Sequence, residues 1–130
     1  MKTTLNRELF DATCYDNLPR VRALLARGPD VNAKCEIVDL TPLLCAVDNG
    51  HTEIAKLLLR KGAKVNVTTR TGRTPLHIAA LHGYQDVVEL LLDHAAEVNA
   101  VDQNRATPLK LAEANRHTNV AELLRKLGGC

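Results

Sequence analysis

The chain has 130 residues, 45% hydrophobic but only 2% aromatic, so Leu, Val and Ala must fill its core in place of large rings. Its 17 Lys and Arg against 15 Asp and Glu leave a formal charge of +2, too small for the strongly basic face of a general nucleic-acid binder. Neither an apolar signal segment after Met1 nor an apolar run of roughly 18 residues occurs, which predicts a cytoplasmic or nuclear protein with no membrane partner. Cys14, Cys35, Cys45 and Cys130 lack C-x-x-C spacing, so neither a zinc site nor a redox pair is expected, and reduced thiols are the predicted state.

Along the chain, Leu9-Phe10-Asp11-Ala12 lies in a first helix that breaks at Asp16-Asn17, where short polar side chains tolerate a left-handed turn. Pro19 then falls in the first turn of the next helix, whose amides have no intrahelical partners, so the proline costs little there. Leu24-Leu25 and Gly28 follow, and Val31-Asn32-Ala33 leads into a loop. At Thr41-Pro42-Leu43 a hydroxyl that accepts from a free first-turn amide precedes a proline suited to the first helical position, so a helix starts. Asn49-Gly50-His51 turns the chain back, and Ile54, Leu57, Leu58 and Leu59 form a partner helix closed by Gly62. Val65-Asn66 begins the next loop.

Thr74-Pro75-Leu76 repeats the start signal. Leu76, Ala79 and Ala80 fall at helical spacing, the alanines let another helix come close, and Gly83 is suited to a left-handed helix end. The run Val87, Val88, Leu90, Leu91, Leu92 predicts a second, more apolar helix of about a dozen residues. Thr107-Pro108-Leu109 opens the last pair, which ends at Gly128-Gly129-Cys130.

Thr41, Thr74 and Thr107 are spaced by 33 residues, and a helix pair of this kind has too little apolar surface to bury alone, so copies must stack. The sequence Gly72-Arg73-Thr74-Pro75-Leu76-His77-Ile78-Ala79-Ala80, with Leu91-Leu92 and Val98-Asn99-Ala100 after it, resembles the ankyrin repeat. The resemblance implies an all-α ankyrin-repeat solenoid: four stacked helix-turn-helix repeats with β-hairpin-like fingers, in one domain spanning 1–130. An N-terminal cap repeat would cover 1–33, with Lys2, Asn6 and Arg7 on its polar outward face. Repeats two and three would cover 34–67 and 68–100, and a C-terminal cap repeat 101–130.

Against the family pattern, Asp39, Ala95, Arg105 and Arg116 stand where glycine is usual, Leu44 and Lys110 replace the histidine, and Glu113 replaces an alanine. Ala33 to Thr41 is one step longer than Val67 to Thr74, so the second finger carries an extra residue. It places Ile37, Val38 and Leu40 in a loop expected to face solvent.

No catalytic, metal or cofactor set is read from the residues. His51 and His117 share one repeat position, about two repeat widths apart, and His77, His82 and His94 do not complete a set of ligands that must converge on one ion. The resemblance makes His77 structural, bonded to Thr74 and to the neighbouring finger. Asp86, Glu89 and Asp93 read as the solvated face of a helix.

The implied function is a non-catalytic protein–protein interaction module that binds on a concave face of finger tips and first-helix ends. The matching positions are Tyr15, beside Cys14, in the first repeat, and Lys34, Ile37, Val38, Leu40, Asp48 and Asn49 in the second. The third supplies Arg70, Thr71, Arg73, Leu81 and His82, and the fourth Gln103, Asn104, Ala106, Ala114 and Asn115. Ile37, Val38 and Leu40 with Tyr15, bordered by Arg70 and Arg73, have the make-up of an interface core, and they predict an acidic-apolar peptide or helix as the partner of a monomeric protein. Two other readings stand beside this one. An engineered ankyrin-type binder is suggested by the Gly-Gly-Cys end and opposed by the unequal repeats. An enzyme with a groove-borne site would need a convergent polar pocket. The resemblance also marks Asn99 as a candidate for hydroxylation by an iron-dependent asparaginyl hydroxylase, with Asn66 and Asn32 as weaker ones.

Overall fold

The computed structural model describes residues 2–130. Met1, the first residue of the cap repeat expected over 1–33, and the side chain of Lys2, expected on its polar face, lie outside the described residues. Among the described residues eight helices follow one another: α1 (Lys2–Cys14), α2 (Leu18–Leu25), α3 (Pro42–Asp48), α4 (Thr52–Arg60), α5 (Pro75–His82), α6 (Gln85–Asp93), α7 (Pro108–Ala114) and α8 (Thr118–Lys126). The chain divides into two compact units, 1–64 and 65–130. In the first unit α1 packs on α3 and α2 on α4; in the second, α5 packs on α7 and α6 on α8. First helices thus stack on first helices and second on second, as a repeat array requires. Among the described residues no helix is long and apolar enough to cross a membrane.

Each regular repeat starts its first helix in the same way. The Thr41, Thr74 and Thr107 hydroxyls accept from the backbone N–H of Leu44, His77 and Lys110, and a proline occupies the first turn. A cap of this type is worth about 1 kcal/mol. In the first repeat the corresponding device moves to α2, where the Asn17 side chain accepts from the Arg20 N–H and Pro19 sits in the first turn.

The turns between paired helices need a left-handed residue. Gly83 supplies it with φ 73°, and a Cβ there would lie 2.5 Å from His117 Nδ1, so both backbone and space demand glycine. Asp16 at φ 55° and Arg116 at φ 60° take the same conformation at the equivalent turns, as the departures from the family pattern imply. Ala95 does so after α6, with φ 67°. This explains why α6 has 9 residues rather than about a dozen: the His94, Ala95 and Ala96 amides bond back to the Leu91 and Leu92 carbonyls, and the helix closes at Asp93.

Leu24, Leu58, Leu91 and Leu124 hold one repeat position in the second helices, and each is 2% exposed or less. Leu9, Leu43 and Ile54 join them in the first unit, Leu76 and Val87 in the second. Burying each such side chain contributes about 1.5–3 kcal/mol.

Polar clamps tie successive loops within each unit. Asn32 Nδ2 donates to the Gly62 carbonyl at 3.2 Å and its Oδ1 accepts from Lys64 N–H at 2.8 Å. Asn66 bonds Ala95 and Glu97 in the same way. Asn99 donates to the Gly128 carbonyl at 3.0 Å and accepts from Cys130 N–H at 2.9 Å, so Gly128-Gly129-Cys130 occupies the repeat position of Gly62-Ala63-Lys64.

The cysteines correct the sequence reading. Cys14 on α1 and Cys45 on α3 are joined as a disulfide with their Cα atoms 6.0 Å apart, while Cys35 and Cys130 are free thiols. The pair was invisible as a spacing because its members lie 31 residues apart, just under one repeat, and only the stacking of α1 on α3 makes them neighbours.

Candidate protein-binding surfaces

The finger of the first unit joins α2 to α3. Its base is closed by Cys35 N–H donating to the Leu40 carbonyl at 2.8 Å, an isolated antiparallel bridge, and Asp39 N–H returns to the Cys35 carbonyl at 2.7 Å. Asp39 adopts φ 55°, taking the place of the usual glycine. The additional residue in this loop leaves Glu36, Ile37 and Val38 at the tip, where Ile37 is 69% and Val38 47% exposed. Leu40 is half-buried instead of facing solvent, because it lies at the closed base beside the Thr41 cap. Lys34 Nζ stands 3.9 Å from Asp39 Oδ2. A cavity of about 330 Å³ lies between α1 and this finger, lined among others by Arg7, Phe10, Lys34, Cys35 and Ile37. Tyr15, just past the end of α1, is 84% exposed. Asp48 and Asn49 are exposed at the end of α3, where Asn49 Nδ2 donates to the Cys45 carbonyl at 2.8 Å.

The fingers of the second unit are built differently. Thr69 N–H donates to the Arg73 carbonyl at 2.9 Å, and Asp102 N–H to the Ala106 carbonyl at 3.0 Å. Gly72 at φ 79° and Arg105 at φ 61° make the left-handed turns, and a Cβ on Gly72 would meet the Gln103 amide at 3.2 Å. Gln103 laces the two fingers together: its N–H donates to the Thr71 carbonyl at 3.0 Å and its Nε2 to the Arg70 carbonyl at 2.7 Å.

A side-chain network lies beneath. Asp102 Oδ1 accepts from the Asn104 and Ala106 amides at 2.8 and 2.9 Å, and Oδ2 faces Arg73 Nε at 3.4 Å. Burial pushes the Asp102 carboxyl up, but the two amides, the guanidinium and nearby His77 outweigh it and hold it below its ordinary value. His77 is fully buried. Its Nδ1 accepts from Thr74 N–H at 3.1 Å, so Nε2 carries the proton and donates to the Ala106 carbonyl at 2.8 Å. Burial above all lowers its pKa, and the occupied Nδ1 leaves no ready place for a second proton.

The remaining expected contact residues of this unit differ in exposure. Arg70, Thr71, Gln103, Asn104 and Ala114 are exposed, and Ala106 is half-buried at a finger base. Leu81 is half-buried, with its carbonyl accepting from His117 Nε2 at 2.9 Å. His82 is exposed and stacks on Tyr84 with ring centres 5.1 Å apart. Asn115 is exposed and donates to the Leu111 carbonyl, repeating the Asn49 pattern. Sequence reasoning passed over Asp102 and Thr69, and it took Cys45 for a reduced thiol. For Asp102 a signal was present, a carboxylate two residues before a turn asparagine, as in a side chain that caps its own loop.

A family model of ankyrin repeats in three copies matches residues 9–102. The chain belongs to the ankyrin-repeat family. An ankyrin repeat protein of Fowlpox virus (strain NVSL) is 40% identical over 58 residues, 45% of this chain and 8% of the viral protein. The SMC5-SMC6 complex localization factor protein 1 of Homo sapiens is 38% identical over 65 residues, 50% of this chain and 6% of that protein. The human Arf-GAP with coiled-coil, ANK repeat and PH domain-containing protein 2 is 40% identical over 67 residues, 51% of this chain and 9% of its own length. The aligned stretch therefore spans less than a tenth of each relative. Ankyrin repeats are in general protein–protein interaction modules.

Proposed function

We propose that this ankyrin-repeat chain is a non-catalytic interaction module whose finger over 35–40 seats an acidic-apolar segment of a partner protein. The observation that carries the reading is the exposed pair Ile37 and Val38 at the tip of a loop that is otherwise closed and ordered by its own backbone bonds. Apolar side chains held at a loop tip act as anchors when a partner covers them. Arg7 and Lys34 line the adjacent cavity with part-exposed side chains, each 3.9 Å from a carboxylate of this unit, Asp11 and Asp39, and an acidic partner segment would compete with those carboxylates for them. Tyr15, Asp48 and Asn49 extend the contact surface of the first unit. In the second unit Arg70, Thr71, His82, Gln103, Asn104 and Asn115 are the proposed polar contacts, and Asn99 remains the proposed hydroxylation position, although both its amide atoms already serve the loop clamp.

The test is capture of partners on the immobilised chain, with an Ile37→Ser/Val38→Ser form in parallel, followed by titration of each identified partner. Partners bound by the parent chain should be lost or weakened on the variant. Equal affinity for both forms would place the interface elsewhere.

A further inference from the structure

The Cys14–Cys45 pair offers chemistry that the binding reading does not use. Its Cα separation of 6.0 Å falls within the span of a relaxed disulfide. The two positions are unequal. Cys45 lies within α3 and is 4% exposed, whereas Cys14 is the last residue of α1 and is only half-buried. Cys14 is therefore the residue of the pair more open to a dissolved thiol or disulfide. Cys45 also has a polar neighbour: Asn49 Nδ2 lies 3.6 Å from its Sγ while donating to its carbonyl. That N–H is placed to hydrogen-bond a Cys45 thiolate released when the bond is reduced. The other two cysteines, Cys35 and Cys130, are free thiols.

We propose that Cys14 and Cys45 form a thiol–disulfide exchange site for small disulfides of the glutathione type, with Cys14 as the entry thiol and Cys45 as the resolving thiol. In the forward direction Cys14 loses its proton to water and its thiolate attacks one sulfur of oxidised glutathione. That S–S bond breaks, one glutathione leaves as thiolate and takes up a proton, and Cys14 holds the other as a mixed disulfide. Cys45 then gives up its proton to water, its thiolate attacks Cys14 Sγ, the mixed S–S bond breaks, and the second glutathione leaves as thiolate and takes up a proton. Two protein thiols are oxidised and one glutathione disulfide is reduced to two thiols, so electrons and protons balance. In reverse, a glutathione thiolate attacks the accessible Cys14 Sγ, and Cys45 departs as the thiolate beside the Asn49 amide. The bond fastens the cap repeat to the second repeat within the first unit, and it removes loop entropy from the unfolded chain.

The site is tested on the full chain carrying Cys35→Ser and Cys130→Ser. The protein is equilibrated in glutathione buffers from reducing to oxidising, quenched in acid, alkylated with N-ethylmaleimide and weighed intact. It should pass from two alkylated thiols to an internal disulfide with no label, and the oxidised form should melt several degrees above the reduced one. Adding Cys45→Ala should trap glutathione on Cys14, whereas adding Cys14→Ala should leave Cys45 unmodified until denaturant is present. Two alkylated thiols at every buffer ratio, or equal glutathione uptake by both single-cysteine proteins in the folded state, would overturn the proposal. Circular dichroism establishes that each variant is folded, and the internal disulfide of the parent form is read independently of them.

Discussion

The finger over 35–40 and the finger over 102–106 occupy the same place in the second and fourth copies of one repeat pattern, yet they use their side chains in opposite ways. At its base the later finger has Asp102, which holds two loop amides and Arg73 beside the buried ring of His77. The earlier finger has Cys35 at that position, one more residue in the loop, and Ile37 and Val38 turned outward. Polar atoms engaged inside a finger fix its shape; a finger closed mainly by backbone bonds leaves apolar tip side chains uncovered. Arg73 illustrates the point. Expected as a cation bordering an interface, it is half-buried against a carboxylate of its own unit, so its reversal to Glu would set two carboxylates together and disturb folding as well as binding.

The sharpest way to break this comparison is Asp102→Ala. It leaves two amides and a guanidinium without their acceptor and is expected to cost about 2–3 kcal/mol in denaturant unfolding, against less than about 1 kcal/mol for Cys35→Ala. Similar losses at both positions would erase the distinction between the fingers. Next in size is the binding effect of the tip: Ile37→Ser and Val38→Ser should each weaken partner affinity by about 1 kcal/mol or more by calorimetric titration, with unfolding midpoints nearly unchanged.

The left-handed turns give a smaller contrast. Arg105→Gly should raise stability by about 0.5–1 kcal/mol, because arginine pays the steric cost of φ 61°, while Asp39→Gly should be nearly neutral, since aspartate tolerates φ 55°. Thermal melts of the two variants side by side decide it.

The smallest effect is the pH dependence of the second unit. His77 in the folded chain has a pKa below its ordinary 6.5, so the unfolded chain takes up a proton first as pH falls. The stability tied to the neutral ring is fully present above 6.5 and is lost as pH falls from there toward the lowered folded value. Melting temperatures measured from neutral to mildly acidic pH should fall, and His77→Gln should flatten the profile; an identical slope in the variant would remove His77 as the cause.

Much of the fold was legible because the repeat states its signals locally. Thr-Pro starts, the Leu positions of the second helices and the left-handed residues at Asp16, Asp39, Ala95, Arg105 and Arg116 each depend on a few neighbouring residues, and the structure has them as read. The candidate site was less legible. Whether Leu40 faces water and whether Arg73 is engaged depend on loop closure and on a carboxylate 29 residues further along the chain.

What the sequence by itself determined is therefore the repeat: its period, its helix starts and ends, and the apolar positions that must be covered, all consequences of backbone geometry and of helix periodicity. Only the tertiary structure decided which side chains of neighbouring repeats meet. Cys14 and Cys45 become a pair, Asn99 reaches Gly128 and Cys130, and His77 donates to Ala106 because stacking turns separations of about one repeat into contact distances, a conversion that no local signal in the chain records.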